Sequence, residues 1–214
     1  MIAVLGAGRC GTSLMMQTLE LLGVPLYGDP SSRGSHQLWQ EWHKLVGIEI
    51  PAPISTQHNT KGYYEVSMSE LKDFIYGTSI TEDAVKFTTL DIVDIPPSKV
   101  SQVIHCYRED RDAAALSMYT LSQSDIAYSK SMGYKNVFTS TYTGLRPKDW
   151  LDHMDKFDRL ITTWLKFTGL PHIKVKFEDM LTDPEPIIQH LGDFLNLNNP
   201  DTSAALKNVD KKCD

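Results

Sequence analysis

The first fourteen residues constrain this chain more than any other stretch. Ile2 to Leu5 is a short apolar run, Gly6, Gly8 and Gly11 follow at once, and from Thr12 the apolar residues fall at helical spacing. Strand, Gly-rich turn, helix is the order in which α/β proteins build an anion site. Glycine lets the backbone approach closely, and the N–H groups of the first helical turn point at the anion. Gly6, Gly8 and Gly11 spell G-x-G-x-x-G, the dinucleotide fingerprint. Gly6 to Ser13 also come within one residue of the Walker A pattern G-x-x-x-x-G-K-[ST], with Thr12 where lysine belongs.

The 214 residues suit one sizeable domain spanning 1–214, with a polar tail from about residue 199 that is expected to fray. With 41% hydrophobic and 22% charged residues, the composition is that of an ordinary globular protein. A net charge of −6 argues against a nucleic-acid partner, which calls for a basic surplus. It leaves room for a small anion held by local N–H groups and arginines. Cys10, Cys106 and Cys213 are odd in number and far apart, which implies a reducing, cytoplasmic setting without a disulfide framework. No His/Cys cluster has zinc spacing, so no metal is expected. With a strand opening at Ile2 no signal peptide is expected, and no apolar run approaches the ~18 residues of a membrane span.

Further along, Thr12 to Leu22 reads as a helix ended by Gly23, and Ser35 to Gly47 and Ser67 to Gly77 as two more. Between those two, residues 51–62 read as a polar loop. Strands are expected at Ala84–Phe87, Val103–Tyr107 and His172–Phe177, the last alternating and therefore nearer a sheet edge. Helices are expected around Arg111–Leu121, Trp150–Phe167 and Glu185–Leu195, the last announced by Asp183-Pro184. Strands alternating with helices predict an α/β fold: three layers, a mainly parallel sheet flanked by helices on both faces. Ligands of such sheets bind beyond the carboxyl ends of strands. There the chain places the loop at Gly8 to Ser13, Lys86, and Arg108 followed by Ser117.

At these strand ends the sequence resembles the sulfotransferases that use 3′-phosphoadenosine 5′-phosphosulfate (PAPS). Arg9-Cys10-Gly11-Thr12-Ser13-Leu14 is similar to their phosphosulfate loop. Tyr107-Arg108-Glu109-Asp110-Arg111-Asp112, running on to Ser117, is similar to their second nucleotide-binding motif. Lys61-Gly62-Tyr63-Tyr64-Glu65 resembles a Gly-aromatic-aromatic-Glu segment of small members. Val175-Lys176-Phe177-Glu178-Asp179-Met180-Leu181 with Asp183-Pro184 resembles a strand ending in an aromatic, then Glu-Asp-Leu and an Asp-Pro helix start. Ile188 to Leu197 resembles the closing helix. The resemblance implies the P-loop-NTPase-like sulfotransferase architecture, with PAPS as donor, PAP as product and no metal.

It also implies roles. Arg9 would stabilise charge developing on the leaving phosphate. Gly8, Arg9, Cys10, Gly11, Thr12 and Ser13 would surround the 5′-phosphosulfate, and Arg108 and Ser117 would bind the 3′-phosphate. Lys86 would contact the transferring group or the acceptor. Glu65 is the first choice of base, with His58 and His36 as alternatives. Two departures stand out. Cys10 replaces the family's usual serine, a thiol being the poorer donor. Ser117 follows Arg108 by nine residues instead of eight, which turns it about 100° around a helix unless the intervening turn takes up the extra residue. The acceptor carries no motif; aromatic residues such as Tyr119, Tyr128 and Phe138 suit a glycan, phenol or lipid equally. Alternatives are an NAD(P)-binding oxidoreductase, for which Asp29 would be the acidic residue, a P-loop kinase, and a nucleotide-binding module with weak catalysis.

Overall fold

The computed structural model describes residues 1–27, 83–87, 93, 95–120 and 146–210. Its centre is a parallel sheet of β1 (Ile2–Leu5), β2 (Ala84–Phe87), β3 (Gln102–Tyr107) and β4 (His172–Lys176), in the order β2-β1-β3-β4. Ile2 pairs with both Ala84 and Gln102, and Val103 pairs with His172, so all four strands carry their carboxyl ends to one edge. β1 lies between β2 and β3 and is buried along its whole length. That explains its unbroken apolar run: a strand covered on both faces has no solvent side to make polar. β4 forms one edge of the described sheet, and its exposure alternates as the sequence predicts.

Helices cover both faces and make the three layers. On one face lie α1 (Thr12–Leu21), α4 (Phe177–Thr182), α5 (Pro184–Phe194) and α6 (Thr202–Asp210), closing over Val4, Ile104, Ile173 and Val175. On the other lie α2 (111–120) and α3 (Pro147–Thr168), over Ala3, Leu5, Val85 and Val103. The end of α1 follows the glycine rule. Gly23 takes φ 84, and Val24 N–H reaches back to Leu19 O at 2.9 Å, which satisfies a carbonyl the helix would otherwise orphan.

Helix α3 begins three residues earlier than the apolar pattern predicts. Pro147 occupies the first turn, where its missing N–H costs nothing, and Asp149 Oδ2 accepts the Arg146 N–H at 2.7 Å. Its buried stripe, Trp150, Met154, Phe157, Ile161 and Trp164, steps by four and three residues as a core-facing helix should.

The tail corrects the expectation of fraying. Residues 202–210 form α6, which packs on α1 and α5 with Ala205 and Val209 fully buried. Most of its polar residues lie on the outer face, and Ala205 and Val209, four apart, dock it with Leu206 packed partly buried beside them. Val209→Asp is therefore expected to cost several kcal/mol by placing an unpaired carboxylate in the core. Lys207→Gln on the exposed face should be nearly neutral. Urea unfolding of the two variants checks this, and equal effects would show that α6 is not docked.

Candidate functional site

The site is built at the carboxyl edge of the sheet, starting with the loop between β1 and α1. Gly6 N–H donates to Phe87 O at 3.2 Å, which ties the loop's start to β2. Cys10 N–H donates to Ala7 O at 3.2 Å, folding the chain into a tight turn. Arg9 takes φ 69 and Gly11 takes φ 85, both left-handed. Gly11 is the N-cap of α1, and neither a side-chain cap nor an acidic residue occupies the helix's first turn. The positive end of α1 and its first N–H groups therefore face the sheet edge.

Three elements hold this loop from outside. A Cβ on Gly11 would come within 2.5 Å of the Phe177 ring, the first residue of α4. A Cβ on Gly8 would collide with the terminal methyl of Met118 in α2. Also in α2, Ser117 Oγ accepts a hydrogen bond from Arg9 Nε at 2.9 Å. Lys86, only 6% exposed on β2, approaches from the other side with its Nζ 3.4 Å from Ser13 Oγ. The loop thus draws a lysine from β2 and a serine from α2 to its two flanks.

Arg108 leaves the end of β3 with its guanidinium over the Phe177 ring, 5.1 Å from the ring centre. The same ring therefore touches Gly11 and carries Arg108. The nearest carboxylate to Arg108 among the described residues is Glu178, 3.8 Å from Nε, a distance that makes an ion pair and not a hydrogen bond. Arg108 Nε is buried without a hydrogen-bond partner among the described residues. Glu178 is engaged elsewhere: its two oxygens accept the N–H groups of Glu109 and Asp110, each at 3.1 Å. Burial alone would push its carboxyl up. Those N–H bonds, with Arg108 nearby, outweigh burial and hold it below the ordinary glutamate range.

Beneath the loop, on the α3 side, Asp158 joins three elements. One oxygen lies 3.2 Å from His105 Nε2 on β3, and the other accepts from Arg111 Nη2 at the start of α2. Burial pushes the Asp158 carboxyl up, and the two hydrogen bonds more than reverse this. Cys10 points into the same floor and is 1% exposed. Burial, then the Asp158 charge, pushes its thiol up to about 11.

The structure thus brings Gly8, Arg9, Cys10, Gly11, Thr12, Ser13, Lys86, Arg108 and Ser117 to one end of the sheet. Within that group Cys10 differs from its neighbours, since its N–H is spent on Ala7 and its side chain is in the core. Ser117 reaches the loop despite its nine-residue spacing. Arg111 N–H returns to Glu109 O at 2.8 Å, and the turn from Arg108 to Asp110 takes up the extra residue before α2 starts. Glu65, His58, His36 and Asp29 lie outside the described residues, as do Tyr128 and Phe138. No group of three or more His, Cys, Asp or Glu suited to a metal occurs among the described residues, and no described helix is long and apolar enough to cross a membrane.

Sequence reasoning missed Phe177, Glu178, Met118 and Asp158 as parts of this site. The Phe177-Glu178-Asp179 segment was a signal for the first two. Asp158 left only a faint one, a carboxylate beside the apolar stripe of α3. Because the folded-state pKa of Glu178 is depressed, its contribution to stability is present above the ordinary glutamate range. It is lost as the pH falls through that range to the folded value. Glu178→Gln is expected to cost about 1 kcal/mol at neutral pH, discounted for partial exposure, with the gap to wild type closing in acid. Urea unfolding across that pH range measures it; a gap that persists unchanged in acid would refute the assignment.

Comparison with solved structures finds a sulfotransferase from Alicyclobacillus acidocaldarius, at TM-score 0.51 and 12% identity, over 99% of this chain and 94% of that one. At that identity the likeness speaks for the fold. No curated protein matches the sequence. The family model described as sulfotransferase domain matches residues 1–213, and the chain belongs to that family.

Proposed function

We propose that the chain transfers a sulfuryl group from PAPS to a hydroxyl or amine of a small acceptor. Family membership supports sulfuryl transfer in general. The observation that carries the finer reading is the pairing of two cationic strand ends. Arg9 lies within the loop at β1, and Arg108 closes β3 with a buried Nε that has no hydrogen-bond partner among the described residues. A donor with phosphate at both its 5′ and 3′ positions fits two separate anion sites, whereas one anion site would suffice for a single phosphate chain.

In this reading the first N–H groups of α1 and the Ser13 hydroxyl hold the phosphosulfate. Ser117 is within reach of both roles: it binds Arg9 directly and leaves its hydroxyl hydrogen for a phosphate oxygen. Transfer proceeds in line. The acceptor oxygen or nitrogen bonds to sulfur as the bond from sulfur to the bridging oxygen breaks, and the electron pair leaves with PAP. Arg9 stabilises the negative charge that grows on that bridging oxygen. Lys86 stands beside Ser13, where it can neutralise the sulfuryl oxygens. The acceptor's proton passes to a base, for which Glu65 is the first choice and His58 or His36 the alternatives. The cytoplasm, with its reduced thiols, is the proposed setting.

Thermal unfolding with PAP, NADP and ATP added separately tests the donor. PAP should stabilise the protein, and stabilisation by NADP alone would sink the reading. Arg9→Ala should lower kcat by about 10²–10³-fold, as expected for loss of a charge acting on the transition state. Arg108→Ala should weaken PAP binding by about 10–100-fold, the worth of a charge-assisted contact, while changing kcat less. Steady-state kinetics with labelled PAPS separates the two effects.

A further inference from the structure

We propose that Asp158 and Arg111 form a positioning clamp, holding α2 in the one orientation that presents Ser117 and Met118 to the loop at Arg9 and Gly8. Arg111, Ala114, Ala115 and Met118 are spaced i, i+3, i+4 and i+7, so they form a single stripe on α2. Ala114 and Ala115 are fully buried. Alanine permits close approach but offers only a methyl group to interdigitate, so the middle of the stripe does little to stop the helix rolling. The ends of the stripe remove that freedom. At one end Met118 fills the space over Gly8. At the other Arg111 is fastened to Asp158.

Asp158 is suited to be an anchor. Its side chain is only 13% exposed, it comes from the long helix α3, and its second oxygen is steadied by His105, which is 2% exposed within β3. The clamp therefore refers α2 to the sheet itself. Arg111 Nη1 is buried without a partner among the described residues, so the Asp158 bond to Nη2 is what fixes the guanidinium. A guanidinium gripped in the first turn of α2 sets the direction in which a serine six residues later points. That serine is the one bound to Arg9. Because the loop is the donor site in the function proposed above, the clamp also sets donor affinity there. Its effect on the loop does not depend on that function.

Hydrogen exchange on the ligand-free protein tests the clamp first. In Arg111→Ala and Asp158→Asn, the hydrogen-bonded loop amides of Gly6 and Cys10 should exchange at least about fivefold faster, while α5 and α6 keep their wild-type protection. Arg159→Ala, on an exposed face of α3, serves as the control and should change nothing. Unchanged exchange in the loop, or an equal rise throughout the chain, would overturn the proposal. Calorimetry with PAP supplies a second readout. Arg111→Ala should weaken binding about tenfold in the wild-type background and less than about twofold in Ser117→Ala, since residues acting through one another are not additive. Arg111→Lys keeps the charge without the fork and should restore only part of the loss. Additive losses would overturn the link through Ser117. If wild-type protein does not bind PAP at all, the proposed donor is wrong and the exchange pattern alone decides the clamp.

Discussion

Two left-handed residues, Arg9 and Gly11, bend the chain between β1 and α1 into a turn that would not persist alone. Glycine adopts that conformation freely, but for an arginine it costs of order 1–2 kcal/mol. Such strain survives only where the surroundings leave no alternative. Here they include a methionine from α2, an aromatic ring from α4, a buried thiol beneath and a hydrogen bond on the arginine itself. Apart from the thiol, which is the loop's own Cys10, these come from segments remote in sequence, so the loop is a product of the whole α/β assembly. The sheet supplies the reference frame: β1 lies between β2 and β3, and its neighbours deliver Lys86 and Arg108 to the same edge.

The distribution of charge at this edge follows from where the carboxylates are spent. The protein carries a net charge of −6, yet the edge gathers Arg9, Lys86, Arg108 and Arg111. Glu178 could neutralise Arg108, but its oxygens are occupied by two backbone N–H groups, which leaves the arginine 3.8 Å away in a loose pair. Asp158 is committed to His105 and Arg111 below the loop. Carboxylates used this way hold backbone and helix in place while offsetting part of the charge of Arg108 and Arg111. A local positive potential inside an acidic protein is what attraction of a small polyanion requires.

How much of this was legible follows the range of each interaction. The β1–loop–α1 unit is local, and its glycines, apolar run and helical spacing could be read directly. The edge position of β4 was legible too, because alternation records exposure residue by residue. The early start of α3 was visible only to capping chemistry: Pro147 and Asp149 decide it, and neither contributes to apolar periodicity. Helix α6 was missed because composition averages over a helix whose fully buried apolar residues are just Ala205 and Val209, with Asn208 buried beside them. Glu178 and Asp158 were the hardest. Their partners lie some fifty to seventy residues away, and no periodicity encodes a carboxylate that crosses from one element to another. Ser117 shows the opposite limit. Counting residues along an ideal helix turned it away from the loop, but the chain from Arg108 to Asp110 is not yet helix, so the count began too early.

Cys10 replaces a serine usual in the resembling family, and its surroundings explain why a thiol is tolerated inside an anion loop. A serine's advantage at that position would be a hydroxyl aimed at the ligand. Here the side chain turns the other way, into the core with Ala7 and Ala114, at 1% exposure. The Arg108 backbone N–H lies beside the sulfur, but a hydroxyl there would still have its own proton to satisfy, whereas a thiol behaves as a small apolar group. With burial and the Asp158 charge pushing its pKa up to about 11, Cys10 stays a neutral thiol at physiological pH. It therefore neither repels an anion bound above nor serves as a ready nucleophile. What it gives the loop is volume beneath the Arg9 turn, filled without adding charge. In the proposed function the anion is held instead by the first turn of α1 and the cations at the neighbouring strand ends.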